Sequence, residues 1–260
     1  MTKTVAVINS KGGVGKTTVT LGLASAAQAA GDTALVIDLD PSANATWGLR
    51  PGEIEDGRTT ADVFSDGRRG SLADAVHPSG WGLEVDVVPS DPTLAQREAD
   101  HVNVDHIARF RSAMEGVVDD YDLVFIDCAP SLGRISSAAL AIADMVLLVT
   151  EPSALSVRGI AGVERRLDEL NEELGIDIVV GGVVLNKVPA RGSEAFRQVD
   201  ELRGLVGKRA IWEPHLPNRV VLSEALADGT PIHWWGYKAA EVAGLFDSLY
   251  AKLQRTLARG

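Results

Sequence analysis

Cysteine is nearly absent from this sequence. Cys128 is the only cysteine among 260 residues, so the chain cannot form an internal disulfide bond. A chain of this kind is typical of a reducing compartment. The single cysteine also excludes an iron–sulfur protein in which two subunits share a four-iron cluster, because two copies supply only two of the four thiolates that the cluster needs.

Long hydrophobic runs are also missing. The best candidate for a membrane span, 138–149, is interrupted by Asp144 and is shorter than the about 18 apolar residues that a span needs. The first residues do not combine a basic segment with an apolar signal core, since Lys11 and the glycines after it come too early. We therefore expect a cytoplasmic protein.

Basic residues are scarce relative to acidic ones. The chain has 25 lysines and arginines against 36 aspartates and glutamates, a formal net charge of −11. This balance argues against a surface that is basic overall and binds nucleic acid or an anionic membrane. Any contact with DNA must come from a local patch.

Apolar side chains, by contrast, are plentiful. They make up 45% of the chain, which is enough for a sizeable core, and no linker or low-complexity tract divides the sequence. We therefore expect one domain over residues 1–260. Short apolar runs predict buried strands. These runs are 4–9, 34–37, 83–88, 123–126, 145–149 and 178–185.

Helical patterns separate most of these runs. The predicted helices are 17–30, 104–118, 154–174 and 236–257, with weaker signals at 60–64 and 72–76. Apolar strands that alternate with helices predict an α/β fold, a single domain with a mostly parallel twisted sheet flanked by helices on both faces. Ligands of such sheets bind beyond the carboxyl ends of the strands, and the polar motifs of this chain follow strands.

The most informative segment is a glycine-rich loop between the first predicted strand and the first helix. Backbone N–H groups of such a loop converge on a phosphate, and the helix dipole adds to the attraction. Lys16 is expected to reach the β- and γ-phosphates and the Thr17 hydroxyl to ligate Mg²⁺. Ser10 replaces the first glycine of the usual pattern, so the loop is a variant. The expected nucleotide contacts are Gly12, Gly13, Val14, Gly15, Lys16, Thr17 and Thr18.

Lys11 is one lysine more than a phosphate loop requires. A cation at the start of the loop is poorly placed for its own triphosphate. It is better placed to cross a dimer interface to the triphosphate of a partner.

Aspartates follow the second and fourth predicted strands. Asp40 is our candidate for the carboxylate that orients the attacking water in hydrolysis, and Asp38 for an outer-shell group of the metal. Asp127 follows four apolar residues, as a Walker B aspartate does, and is expected to hold Mg²⁺ through a bound water. We expect Cys128 to pack beneath the site.

These motifs together resemble the ParA/MinD group of deviant Walker A ATPases, and most closely the ParA (Soj-like) partition ATPases. Residues 38–46 are similar to the family's segment ending in DPQGNAT, with Ser42 and Ala43 in place of Gln and Gly. Residues 127–133 are similar to DCPPSLG, with Ala129 in place of the first proline. The resemblance implies a P-loop NTPase fold with ATP and Mg²⁺ as ligands, and it assigns Lys11 an in trans contact within an ATP-sandwich homodimer.

The resemblance also assigns the base and the DNA contacts. Asn186 occupies the place where family members read adenine, and Pro217 lies in a loop that covers the base. Residues 217–225 are similar to PRNVRLSEA, but the family's DNA-binding arginine is Val221 here. Seven basic and four acidic residues lie between Asn186 and Val220, so this segment is a possible phosphate-backbone footprint or an ordinary mixed-charge surface. The candidate DNA contacts are Arg191, Arg197 and Arg219.

The leading functional hypothesis is an ATPase switch with slow intrinsic hydrolysis. ATP closes a homodimer, the dimer binds nonspecific double-stranded DNA on the nucleoid, and a ParB-like activator triggers hydrolysis. The alternative is a MinD-like membrane-associated positioning ATPase, which needs a basic amphipathic C-terminal helix. Residues 245–260 carry only Lys252, Arg255 and Arg259 as cations, so core packing explains this segment better and no membrane partner is expected. A metabolic or cluster-assembly ATPase is a third possibility, without paired cysteines to support it.

Overall fold

Strands and helices alternate along most of the chain. The computed structural model describes residues 1–54, 58–97, 104–189, 193–206 and 210–259. In chain order its elements are β1 (Lys3–Ile8), α1 (Lys16–Ala30), β2 (Ala34–Leu39), α2 (Asn44–Leu49), α3 (Thr60–Asp66), β3 (His77–Pro78), β4 (Val85–Val88), α4 (Val104–Met114), β5 (Leu123–Cys128), α5 (Arg134–Ile142), β6 (Met145–Thr150), α6 (Ala154–Leu174), β7 (Val180–Leu185), α7 (Ser193–Val206), β8 (Ile211–Trp212), α8 (Val220–Asp228) and α9 (Ala240–Leu257).

The strands form a single sheet in the order β3-β4-β2-β5-β1-β6-β7-β8. Every pairing is parallel except β3 with β4. Parallel strands need crossover connections, and the helices between them supply these connections. The α/β fold with a mostly parallel sheet is therefore confirmed.

Helices cover both faces of the sheet. Alternate residues of β1 enter different core clusters, with Val5 and Val7 on one face and Ala6 and Ile8 on the other. Side chains of α4, α5 and α6 complete one cluster, and those of α1 and α9 complete the other. Strands β1, β2, β5 and β6 are buried along nearly their whole length, which explains their continuous apolar sequences.

Some predicted elements have other boundaries. The helix predicted at 154–174 is confirmed, whereas the one predicted at 104–118 ends at Met114. Gly116 has φ +75°, a left-handed conformation that does not continue a helix. The helix predicted at 236–257 begins only at Ala240, after a 3₁₀ turn at Gly236–Lys238, and the segment predicted at 72–76 is a 3₁₀ turn, Ser71–Ala75.

Other elements were not predicted individually from the sequence. They include α2, α5, α7, α8 and the two-residue edge strands β3 and β8. No helix in the described part of the chain is long and apolar enough to cross a membrane.

Candidate functional site

The glycine-rich loop leaves the carboxyl end of β1 and leads directly into α1. Gly15 is the N-cap of α1 and has φ 93°, in the left-handed region that favours glycine. A side chain at Gly15 would also come within 2.0 Å of Asn186 Nδ2. By contrast, a Cβ atom at Gly13 would meet nothing within 4 Å, so the mouth of the loop is open. The loop backbone is therefore exposed around Gly13, whereas Asn186 packs closely against it at Gly15.

Lys16, the first residue of α1, lies within this site and is only 6% exposed. Burial lowers the pKa of its amine, and the negative charges of Asp127 and Asp40 oppose that shift. These two carboxylates belong to different strand ends. The fold thus brings one amine and two carboxylates to the same edge of the sheet, although Lys16 and Asp127 are 111 residues apart in the sequence.

Thr17 and Asp127 form the oxygen-rich part of the site. Thr17 Oγ1 donates a hydrogen bond to Asp127 Oδ2 at 2.7 Å, and Thr20 Oγ1 donates one to Asp127 Oδ1 at 3.0 Å. Burial, together with the nearby charge of Asp38, raises the pKa of Asp127 to about 7. A carboxylate beside a hydroxyl is the donor set that a hard cation such as Mg²⁺ prefers, so these residues fit a magnesium ion.

Asp38 faces Asp127 across the β2–β5 pair. Asp38 Oδ1 accepts a hydrogen bond from the backbone N–H of Asp40 at 3.0 Å. Its Oδ2 accepts two from Thr46, one from the backbone N–H and one from Oγ1, both at 2.8 Å. Burial raises the pKa of Asp38 to about 6 against the effect of these bonds. Asp38 therefore anchors the loop that carries Asp40, and its outer-shell role stays a prediction.

Asp40 begins a tight turn. Its Oδ1 accepts hydrogen bonds from the backbone N–H of Ser42 at 2.9 Å and from Ser42 Oγ at 2.7 Å. Ala43, which stands where the family motif has glycine, adopts φ 54°. A left-handed conformation costs a non-glycine residue about 1 kcal/mol. The turn keeps the glycine-type geometry despite the substitution, and it orients the carboxylate of Asp40.

The Lys11 side chain is held by residues that follow β6. The backbone N–H of Lys11 donates a hydrogen bond to Asn9 Oδ1 at 2.9 Å. Its Nζ forms an ion pair with Glu151, which follows β6, and lies 3.4 Å from Ser153 Oγ. Sequence reasoning missed Glu151, because its proximity to Lys11 arises from the pairing of β1 with β6 and leaves no local pattern.

Asn186 and Pro217 lie on the β7 side of the loop. Asn186 Nδ2 donates a hydrogen bond to the Val14 carbonyl at 2.9 Å, while its buried Oδ1 has no hydrogen-bond partner among the described residues. Pro217 pairs with Val188 in an isolated bridge just beyond β7. Both residues predicted to contact the base therefore lie close to the carboxyl end of β7, next to the phosphate loop.

The two candidate DNA contacts that the structure describes, Arg197 and Arg219, are both paired with carboxylates. Arg219 Nη2 lies 3.1 Å from Glu241 Oε1, and Arg197 Nη1 lies 4.0 Å from Glu201 Oε2. Arg203, from the same basic segment, pairs with Asp200 and Glu213. Arg191 lies outside the described residues.

Two further expectations concern buried groups. Cys128 is fully buried in the core at the end of β5, as expected for a residue beneath the site. In α9, Phe246, Leu249 and Leu253 are fully buried against the sheet. The apolar face of this helix is thus occupied by core packing, as expected.

Comparisons with known proteins agree with this arrangement. A family model described as an AAA domain matches residues 2–180, which include the phosphate loop, Asp40 and Asp127. The chain is similar to the chromosome partitioning protein ParA of Myxococcus xanthus, with 32% identity over 90% of this chain and 82% of that protein. It is also similar to the sporulation initiation inhibitor protein Soj of Bacillus subtilis, with 29% identity over 89% of this chain and 90% of that protein.

The fold has a counterpart among solved structures. The structure of an ATP complex of a Cyanothece McdA variant superposes with a TM-score of 0.82, covering 99% of this chain and 96% of that one. Sequence identity between the two is 19%, so this likeness concerns the fold.

Proposed function

The chain belongs to the ParA/MinD family of P-loop ATPases, and we propose that it is an ATP-dependent switch of the partition type, which positions DNA or another cargo. The observation that carries this proposal is the convergence of Lys16, Thr17 and Asp127 on an open glycine loop, with a further lysine paired to Glu151 outside the loop. The first group of residues suits a bound triphosphate. The additional lysine suits a contact between two subunits.

ATP binding rests on residues from two strand ends. The loop N–H groups and Lys16 hold the phosphates, which carry most of the ligand's charge. At the position predicted for the adenine base, the buried Oδ1 of Asn186 is a hydrogen-bond acceptor without a partner among the described residues. The amino group of adenine is a donor that would satisfy it, and guanine offers a carbonyl oxygen at the equivalent position. The site therefore favours ATP over GTP.

Mg²⁺ and Asp40 serve hydrolysis. The ion, when bound, neutralises charge on the phosphates, and Thr17 and Asp127 are the residues that hold it. Asp40 orients the attacking water and accepts its proton late in the reaction. Its carboxylate is held by Ser42 and lies close enough to Lys16 to affect the pKa of that amine. We expect slow hydrolysis in the isolated protein.

Dimerisation depends on the nucleotide that each subunit binds. Each Lys11 contacts the triphosphate bound by the other protomer, so the homodimer forms only when both sites hold ATP. The ATP-bound dimer binds nonspecific double-stranded DNA and is thereby nucleoid-associated. A ParB-like activator stimulates hydrolysis, and the products separate the subunits. This sequence of events makes ATP a switch as well as a substrate.

The test is binding to random-sequence DNA with ATP, ADP or no nucleotide, repeated at several salt concentrations. We expect retention only with ATP, and weaker retention as salt rises because bound cations release counterions from the DNA. Absence of ATP-dependent retention at low salt would reject the DNA part of the proposal. The ATPase part is tested separately by phosphate release.

A MinD-like membrane function has less support. It requires an amphipathic helix with a free apolar face. In α9, the residues Phe246, Leu249 and Leu253 are buried in the core. Co-sedimentation with vesicles that needs ATP and is lost when residues 245–260 are removed would favour this function instead.

A further inference from the structure

A second concave surface lies at the β8 edge of the sheet, away from the phosphate loop. It is a groove of about 670 Å³ between β7, β8 and the C-terminal end of α9. Gly181 lines it near the amino end of β7, whereas Asn186 follows the carboxyl end of the same strand. Five residues of strand separate the two positions by about 16 Å. The groove is thus distinct from the nucleotide site.

Cations dominate one wall of this groove. Lys252 and Arg255 line it from α9 and Arg259 from the turn that follows, and none of them forms an ion pair with a described residue. Glu213 also lines the groove, but its carboxylate lies 2.7 Å from Arg203 Nη2. In a protein with a net charge of −11, three uncompensated cations on one short surface require an explanation.

Helix geometry aligns two of these cations, and the third follows the helix directly. Lys252 and Arg255 are separated by three residues, so their side chains lie on the same face of α9, and Arg259 lies in the turn just beyond the last helical residue, Leu257. Lys252 and Arg255 are about 4.5 Å apart along the helix axis, at about 1.5 Å per residue. Successive phosphates of a DNA strand advance by about 3.4 Å along the duplex axis, so a row of these three cations suits neighbouring phosphates of one strand.

The wall formed by β7 and β8 offers few side-chain hydrogen-bonding groups to bases, since the Glu213 carboxylate is paired with Arg203. Trp212 is buried, and its indole N–H already donates a hydrogen bond to the Gly181 carbonyl at 3.0 Å. This bond depends on a close approach, because a Cβ at Gly182 would lie 2.0 Å from Trp212 Nε1. The groove therefore offers mainly positive charge to a ligand. Charge of this kind recognises a phosphate backbone and not a base sequence.

The packing of α9 favours DNA over a lipid surface. Leu253, which lies between the cations in sequence, is buried, and Leu257 is packed against the core. The row thus has no large apolar side chain free to enter a bilayer. Meanwhile, Arg219 and Arg203, which belong to the basic segment identified in the sequence, are already paired with carboxylates.

We propose that this groove binds the phosphate backbone of duplex DNA through Lys252, Arg255 and Arg259. This inference rests on the proposed function and names the surface that carries its DNA contact. Each protomer contributes one groove, so two grooves joined in an ATP-bound dimer bind DNA much more tightly than one. ATP dependence then follows from dimerisation, without any change in the groove itself.

The test is DNA binding by the full-length K252Q/R255Q/R259Q variant in the presence of ATP and Mg²⁺. We expect DNA affinity to fall at least tenfold, and the slope of log affinity against log salt to decrease by about 0.9 for each cation that contacts a phosphate. ATP-dependent dimerisation and basal ATP hydrolysis should stay at the wild-type level, which shows that the variant is folded.

The matched control removes the same charge from the opposite edge of the sheet. Arg58, Arg68 and Arg69 are exposed and paired with carboxylates, so R58Q/R68Q/R69Q should bind DNA as the wild type does. If R219Q abolishes DNA binding and the groove variant binds normally, the groove proposal is wrong while the proposed function stands. If wild-type protein with ATP does not bind DNA, the DNA part of the proposed function fails first.

A third arm uses vesicles of phosphatidylglycerol. Wild-type protein that binds these vesicles in preference to DNA, and loses that binding in the groove variant, would overturn the assignment to DNA. Binding to DNA alone, lost in the groove variant, supports it.

Discussion

The amine of Lys11 is held by the carboxylate of Glu151 within the same protomer. Both side chains are 28% exposed, and Ser153 Oγ lies 3.4 Å from the same amine. In the proposed dimer, a contact between Lys11 and the partner's triphosphate has to replace this ion pair. We therefore expect Glu151 to compete with dimerisation.

Neutralising Glu151 should make dimerisation easier. We expect Glu151→Gln to raise the ATP-dependent dimer fraction several-fold at a protein concentration where the wild type is mostly monomeric. A partly exposed ion pair stabilises by about 1 kcal/mol or less, so the effect is about fivefold at most for each Lys11 and, with two of them in the dimer, about 30-fold at most in the dimerisation constant. Sedimentation velocity measures it, with Glu164→Gln as a control that removes an exposed acid elsewhere on the surface. A lower dimer fraction would mean that Glu151 accompanies Lys11 into the dimer.

Lys11→Ala is the complementary change. It removes the amine that we propose to cross the interface but leaves Lys16 and the loop backbone in place. The variant should bind ATP with wild-type affinity and fail to dimerise. A stable ATP-dependent dimer of Lys11→Ala in the same sedimentation experiment would refute the in trans contact.

Lys16→Ala should strongly weaken the binding of ATP. Lys16 is nearly buried within the site, and the charges of Asp127 and Asp40 are near enough to affect its pKa, so its amine is the cation that we expect to hold the phosphates. Loss of a charge-assisted contact of about 3 kcal/mol lowers affinity by roughly a hundredfold. Isothermal titration with ATP and Mg²⁺ measures this loss, and Lys3→Ala, which removes a lysine paired with Asp144 at the surface, should not change the affinity. Unchanged ATP affinity in Lys16→Ala would remove the phosphate-loop assignment.

Asp40→Ala should separate binding from turnover. If Asp40 orients the attacking water as proposed, removing its carboxylate slows hydrolysis by about 10² to 10⁴, the usual contribution of a general base. ATP binding and the ATP-bound dimer should persist, because Lys16, Thr17 and Asp127 are unchanged. Phosphate release and sedimentation are measured on the same sample. Hydrolysis at the wild-type rate would reject the role of Asp40.

Local motifs made the phosphate loop predictable. The residues from Lys11 to Thr18 are contiguous, and a glycine loop before a helix has one dominant interpretation. Asp127 was equally predictable, since four apolar residues precede it directly. The contacts of Lys11 with Glu151 and of Arg219 with Glu241 could not be predicted from the sequence, because these pairs meet only through tertiary packing. The cations of α9 were visible in the sequence, but the groove beside them depends on where β8 lies.

Asp38 and Asp127 face each other from neighbouring strands, and both are fully buried. Burial is the main cause of the raised pKa values, about 6 for Asp38 and about 7 for Asp127, against 3.8 for the ordinary group. The folded, nucleotide-free protein thus holds protons that the unfolded chain releases from about pH 4 upward. These two groups therefore reduce the free energy of unfolding as pH rises from about 4 to 7.

Asp127→Asn should remove most of this pH dependence. The amide resembles the protonated carboxyl, and the raised pKa of Asp127 already includes its attraction to Lys16. We expect the nucleotide-free variant to be more stable than the wild type at pH 8 by several degrees in Tm, since about 1 kcal/mol corresponds to 2–4 °C for a domain of this size. At pH 5 the two proteins should melt at nearly the same temperature, while Mg²⁺-dependent hydrolysis by the variant is lost. Thermal melts at both pH values measure this difference, with the exposed Asp119→Asn as a control that keeps the wild-type profile. A variant that is less stable than the wild type at pH 8 would show that the ionised carboxylate of Asp127 stabilises the fold. The buried pair of carboxylates would then not destabilise the protein in the absence of a cation.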